Sequence, residues 1–202
     1  MQKLVAFILL LSLPIFVYTQ NFNGGVLAGM TATQVDGDGN GGYHRAGLIG
    51  GVWIDFGFSS QLSIRTELKF IQKGSYQRFT DGMGGTTDFY SLRLNYIDMP
   101  YLLEYHFRDD IIPFAGLSLG FLWNAKEANA TGSYPNEDIA MFRKVEVAGT
   151  AGVEYKINES FSFCVAMSYS ILPVRPHKGL ITYRLNQGQY NNVLQFYFRY
   201  HF

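Results

Sequence analysis

A few short patterns in the sequence have the residue types and spacing that chemistry requires. Gly116-Leu-Ser118-Leu-Gly120 matches the elbow in which a serine nucleophile is held exposed on a sharp strand-to-helix turn. Here the motif sits inside an alternating apolar run with no helical pattern after it, so its three small residues read as one face of a strand. Asp36-Gly-Asp38-Gly-Asn40-Gly41 supplies the oxygens of the first half of a calcium loop. The twelfth position, which needs a bidentate glutamate, is Gly47. The stretch therefore reads as a turn whose residues tolerate positive φ, and calcium would need oxygens from a neighbouring loop. Asn129-Ala-Thr131 fits a glycosylation sequon, a short pattern with little force by itself. His44, His106, His177 and His201 have no metal-ligand spacing to one another. Cys164 lies among Ser162, Ala166 and Ser168, where it reads as a small filler because no activating base can be assigned. A lipid-modifying enzyme would need a serine and a histidine near one rim; Ser133, Ser170 and His177 are available, but no spacing links them. The expectation is a chain with no catalytic residue, no metal and no cofactor.

The elements that would carry these residues are strands. The chain has 202 residues, enough for a single domain or barrel. Its 16 Lys and Arg balance 16 Asp and Glu, so no net field favours nucleic acid, and no nucleic-acid partner is expected. Charged residues make up only 16%, against ~25% in ordinary soluble domains, while aromatics reach 16%. A single cysteine excludes a disulfide framework. Residues 1–19 read as a cleaved signal peptide: Lys3 gives the positive start, Leu4 to Val17 the apolar run and Val17-Tyr18-Thr19 the cleavage region, so the mature domain spans 20–202. The later charge-free stretch from Ile111 to Ala125 is interrupted by Pro113 and is too short for a membrane-spanning helix.

Period-two alternation recurs through the rest. In the C-terminal segment Leu194, Phe196, Phe198, Tyr200 and Phe202 share one face, and Gln195, Tyr197, Arg199 and His201 the other. Eight such segments can be drawn: 24–33, 44–58, 61–76, 89–107, 112–123, 142–157, 161–172 and 190–202. The fourth changes phase near Asp98-Met99-Pro100, for which a bulge is the simplest account. Connections alternate between tight (Ser59-Ser60, Arg108 to Ile111, Asn158 to Ser160) and long, which is the pattern of tight periplasmic turns and longer external loops. The fold class expected is all-β: an eight-stranded antiparallel up-and-down transmembrane β-barrel in the outer membrane of a Gram-negative bacterium, with outer-membrane lipid around it. A soluble, lipocalin-like barrel has the same period with the faces reversed. The membrane assignment is favoured because each apolar face persists for five or six positions, ~30 to 35 Å of strand, enough to cross an apolar band ~25 Å tall. It turns Asp55, Arg65, Glu67, Lys69, Arg93, Glu104, Glu146, Glu154, Lys156 and Arg199 inward, where buried charges must pair. They are expected to form a structural salt-bridged plug in a bore too narrow for a channel.

Several stretches resemble a known family: Gly24-Gly-Val-Leu-Ala-Gly29, Gly47-Leu-Ile-Gly-Gly51, Glu67-Leu-Lys-Phe-Ile-Gln-Lys-Gly74 and Tyr96-Ile-Asp-Met-Pro-Tyr-Leu-Leu-Glu-Tyr105 are similar to the PorT-type outer-membrane β-barrel proteins of Bacteroidetes. Phe198, Tyr200 and Phe202 resemble the C-terminal signal read by the barrel-assembly machinery, which that likeness makes a partner during biogenesis. The resemblance implies fold and location. The family's namesake is associated with type IX secretion, so an envelope or secretion protein is the partner it suggests, while no motif here maps onto a functional residue.

Overall fold

The computed structural model describes residues 22–81, 85–133, 142–176 and 188–202; the leader, its cleavage region and His177 lie outside them. The strands are β1 (Phe22–Asp36), β2 (Arg45–Gly57), β3 (Leu62–Thr80), β4 (Thr86–Tyr105), β5 (Ile111–Asn129), the two-residue β6 (Gly132–Ser133), β7 (Val145–Lys156), β8 (Phe161–Ser170) and β9 (Tyr190–His201). All pairings are antiparallel. β6 only folds back on the end of β5, so eight long strands remain: each pairs with its chain neighbour, and β1 pairs with β9, which closes the ring. Closure leaves no sheet edge, as backbone in hydrocarbon requires.

The alternation is polar inward and apolar outward. On β3, Ser63, Arg65, Glu67 and Lys69 are buried while Ile64 and Leu68 are exposed. On β8 and β9, Val165, Met167, Phe196 and Phe198 face outward against buried Cys164, Ala166, Gln195 and Tyr197. A lipocalin-like barrel needs the opposite assignment, and these exposures remove that reading. Along β5 the outward residues run Pro113, Ala115, Leu117, Leu119, Phe121, Trp123. Ten steps of ~3.4 Å, tilted by ~40°, span ~26 Å, which matches an apolar band of ~25 Å. Aromatic rings stack at its periplasmic edge, Phe161 on Tyr200 at 5.1 Å and Phe22 on Phe56 at 5.3 Å.

Two details depart from the expected pattern. β4 keeps one phase throughout, with Leu92, Leu94, Tyr96, Asp98, Pro100, Leu102 and Glu104 all buried, so there is no bulge at Asp98-Met99-Pro100. The inner face itself changes chemistry along the strand, from polar in the membrane to apolar above it, and this imitates a phase change. The irregularity lies instead between β4 and β5, where Asn95 pairs with Asn124 and Tyr96 with Leu122, leaving Trp123 as the extra residue. Strands β3, β4 and β5 also run several residues beyond the apolar band on the side of the long connections.

The narrow bore needs small residues beside its largest inward rings. A Cβ on Gly25 would run into the Tyr200 carbonyl oxygen and stand 2.9 Å from the Trp53 indole, and one on Gly29 would run into the Phe196 carbonyl oxygen and stand 2.6 Å from Tyr197 Cβ. Only glycine at these positions lets Trp53 and Tyr197 fill the interior.

Candidate functional site

The lumen is layered, and each layer follows from which inward positions fall at one height on neighbouring strands. Nearest the periplasmic end, Arg65 on β3 and Arg199 on β9 converge on Glu104 of β4 and Glu154 of β7. Arg65 Nη1 lies 2.5 Å from Glu104 Oε1 and 2.8 Å from Glu154 Oε2, and Arg65 Nε lies 3.0 Å from Glu67 Oε1. Arg199 Nη1 donates to Glu154 and lies 3.4 Å from Glu104 Oε1. In ring order β4 and β9 stand opposite each other, so the Arg199–Glu104 contact crosses the full width of the barrel. The Arg199 guanidinium sits 3.7 Å from the Trp53 ring centroid and Arg65 sits 4.3 Å from that of Phe114. Flat cations stacked on aromatic faces fill such a space well.

Higher up, Lys69 donates to Glu67 at 2.7 Å and to Gln195 at 3.0 Å, and the Tyr197 hydroxyl donates to Glu67 at 3.3 Å. Next, Lys73 lies 3.0 Å from Asp98 Oδ2 and 2.8 Å from Glu146 Oε2; Glu146 also accepts from the Ser170 hydroxyl at 2.6 Å and the Asn191 amide at 3.2 Å. Around and above this the interior holds an apolar cluster that includes Val35, Ile71, Leu92, Leu94, Leu122, Phe142, Val174 and Val193. Arg175 crowns it, lying 2.6 Å from Glu127 Oε2 and 4.2 Å from the Phe142 ring, while the Tyr90 hydroxyl donates to Glu127 at 2.7 Å.

A cavity opens at each end. The outer one, about 340 Å³, is lined by Asp38, Asn40, Asp88, Tyr90, Glu127 and Arg175 among others; the periplasmic one, about 220 Å³, by Asp55, Ser63, His106, Lys156, Arg199 and His201 among others. In the latter Ser63 donates to Glu104 at 2.8 Å and its hydroxyl lies 2.9 Å from His106 Nε2, while Ser162 lies 2.9 Å from His201 Nε2.

Of the residues expected in the interior, Arg65, Glu67, Lys69, Glu104, Glu146, Glu154 and Arg199 meet there. Asp55 stands at the periplasmic rim, accepting from Asn23 at 3.0 Å and lying 3.7 Å from Arg199. Lys156 reaches only the wall of the periplasmic cavity. Arg93 is a correction: its neighbours Leu92 and Leu94 are buried and Arg93 is exposed on the outside, opposite Lys126 of β5. Alternation sets the apolar Leu92, Leu94 and Tyr96 against lipid, whereas they pack the interior at and beyond the outer edge of the band. Arg45, which donates to the Ser91 hydroxyl at 3.0 Å, and Lys73, Asp98, Glu127 and Arg175 are buried charges missing from the expected set. Lys73 and Asp98 share the parity of Arg65 and Glu104 on their strands, a signal that was present. Glu127 is displaced from its strand's parity by the Trp123 bulge, and Arg175 lies in a long connection.

The chemical motifs resolve similarly. Ser118 is buried in mid-strand, and β5 continues past it to Asn129. Ser170 points into the lumen and is held by Glu146 and by the Asn191 N–H, at 2.9 Å; Ser133 lies in β6 at the outer end. Cys164 is buried. In the Asp36–Gly41 stretch Gly37 and Gly39 have φ of 90° and 83°, and the Asn40 N–H donates to Asp38 at 2.8 Å. Burial raises the Asp38 carboxyl pKa, against hydrogen bonds from Ser75 and Asn40. Among the described residues no three His, Cys, Asp or Glu side chains are grouped to hold a metal ion.

A family model described as outer membrane protein beta-barrel domain matches residues 18–174. Among solved structures, the attachment invasion locus protein Ail of Yersinia pestis aligns over 89% of this chain and 98% of its own at 14% identity, with a TM-score of 0.51. Neisserial surface protein A aligns over 90% and 97% at 12% identity, with a TM-score of 0.55. At these identities the likeness is one of fold. Comparison with curated proteins gives no significant match.

Proposed function

The chain belongs to the outer membrane protein beta-barrel domain family, and from that premise we propose that it is a non-enzymatic component of the envelope, closed to diffusion, that acts through its rims and loops. One observation carries this reading: Arg199 of β9 and Glu104 of β4 meet across the full width of the ring, in a layer where Arg65 and Glu154 are also fully buried. An eight-stranded ring leaves room for side chains and no more. Charges locked in mutual contact cannot also serve a moving solute. With the interior closed, the outer loops and the periplasmic rim are the surfaces left for a partner. The resemblance of the Glu67–Gly74 and Tyr96–Tyr105 stretches to PorT-type proteins of Bacteroidetes directs the choice of partner to envelope or secretion proteins.

Planar-bilayer recording tests the closed interior. The folded wild-type chain is expected to show no steady conductance, and Arg199→Ala with Arg65→Ala, which removes both guanidinium groups of the periplasmic layer but leaves the Lys73 layer and the apolar cluster in place, should stay closed as well. Steady wild-type conductance, or passage of a sugar into proteoliposomes, would overturn the proposal.

A further inference from the structure

The outward face changes character at its outer edge, and it does so unevenly around the ring. On β4 the exposed side runs Tyr101, Met99, Ile97, Asn95, Arg93, and on β5 it runs Leu117, Leu119, Phe121, Trp123, Asn124, Lys126. Both strands thus pass from apolar through an asparagine to a cation, with Asn95 opposite Asn124 and Arg93 opposite Lys126. Trp123, 73% exposed, marks the boundary in the way interfacial tryptophans do. On the other side of β5, Lys144 lies beside Leu122, whose N–H donates to the Lys144 carbonyl at 2.8 Å, and Arg143 precedes it; both side chains are exposed. At the same level the outward residues of β1, β2 and β3 and the one following β8 are Gln34, Ala46, Gln72 and Ile171. Among the described residues the exposed cations at this level therefore lie on one arc, from β4 to the start of β7, while Arg45 of β2 is buried.

Two like charges directly opposite on adjacent strands repel each other. No ion pair joins Arg93, Lys126, Arg143 or Lys144 to a carboxylate among the described residues. In contrast, Arg175, a few residues inside this rim, has its glutamate. The arc, uncompensated among the described residues, lies at the height of the Trp123 boundary, where the headgroups of the outer leaflet meet the barrel wall.

We propose that this arc binds the phosphate groups of the outer leaflet's phosphorylated glycolipid, with Arg93 and Lys126 bracketing one phosphate, Arg143 and Lys144 holding a second charge position, and Trp123 lying against the top of the acyl region. Each basic residue beside an anionic leaflet shifts partition about fivefold. Loss of all four should weaken binding by roughly several hundredfold.

The test uses the folded full-length mature chain in phosphatidylcholine nanodiscs, titrated with bis-phosphorylated lipid A and read by native mass spectrometry. Wild type is expected to retain lipid A, and R93Q/K126Q/R143Q/K144Q to lose it by the stated factor while keeping its melting profile in phosphatidylcholine alone. The charge-preserving R93K/R143K variant should retain it. Equal retention by the glutamine variant, equal retention of dephosphorylated lipid A by wild type, or full competition by the same concentration of inorganic phosphate would each overturn the proposal.

Discussion

At the scale of single residues, the interior shows what a buried charge needs. Glu154 is fully buried between Arg65 and Arg199 and lies 3.7 Å from His201 Nε2, so its carboxylate pairs with two guanidinium groups that Glu104 also shares. Removing one partner from such a set strands the others, at a cost of about 3 to 5 kcal/mol. Glu154→Gln, which keeps the shape, is therefore expected to lower the unfolding free energy of the detergent-folded barrel by about 3 kcal/mol, measured by urea titration of Trp fluorescence. Lys156→Gln, at the wall of the periplasmic cavity, should change it by less than about 0.5 kcal/mol. Equal effects of the two would mean that the layer built on Arg65 and Arg199 is not the interior's electrostatic anchor. That layer was legible in the sequence because Arg65, Glu104, Glu154 and Arg199 each alternate with apolar neighbours inside a strand. Which acid meets which base was not legible. Pairing across the bore depends on the ring order and the stagger of strands far apart in sequence, as with Arg199 and Glu104.

Strand period set the existence and the phase of the elements, because one residue of slip would move a whole apolar face out of lipid. It failed where one inner face carries two chemistries. Leu92, Leu94 and Tyr96 pack the interior at and beyond the outer edge of the band, and alternation alone cannot distinguish that from a lipid contact. Trp123, the extra residue opposite Asn95, is a comparable blind spot, since a bulge shifts the phase without a sequence mark such as glycine or proline. β5 also gives a graded prediction. Leu119→Arg, in mid-band, should cost about 2 to 4 kcal/mol, and Asn124→Arg, at the outer edge, about 0 to 1 kcal/mol. Both are measured by reversible unfolding in lipid vesicles, and equal costs would place the band elsewhere along the strand. On β1, Gly29→Val forces a side chain against Tyr197 and should destabilise the barrel by about 1 to 3 kcal/mol, with Ala28→Val, on the lipid face, close to neutral.

For the whole molecule, orientation follows from asymmetry between the ends. Tight turns such as Asn158–Ser160 lie at the end that carries Phe22 and Phe202, while the extended β3, β4 and β5, the Trp123 edge and the basic arc lie at the other. A barrel inserted from the periplasm keeps its short turns there and sends its long loops through. Ala130, in the exposed turn between β5 and β6, and Glu159, in the exposed turn between β7 and β8, stand at opposite ends of the ring. The native Cys164 is fully buried and cannot confuse a thiol assay. With a membrane-impermeant maleimide, Ala130→Cys should label on intact cells, and Glu159→Cys only after the outer membrane is permeabilised. The reverse pattern would invert the barrel and put the basic arc against the inner leaflet, where the glycolipid proposal would lose its ligand. Labelling of both positions on intact cells would instead argue against a sealed wall. The expected result places the closed charge layer toward the periplasm and leaves the outer cavity, the loops and the basic arc as the surfaces this protein shows to the outside.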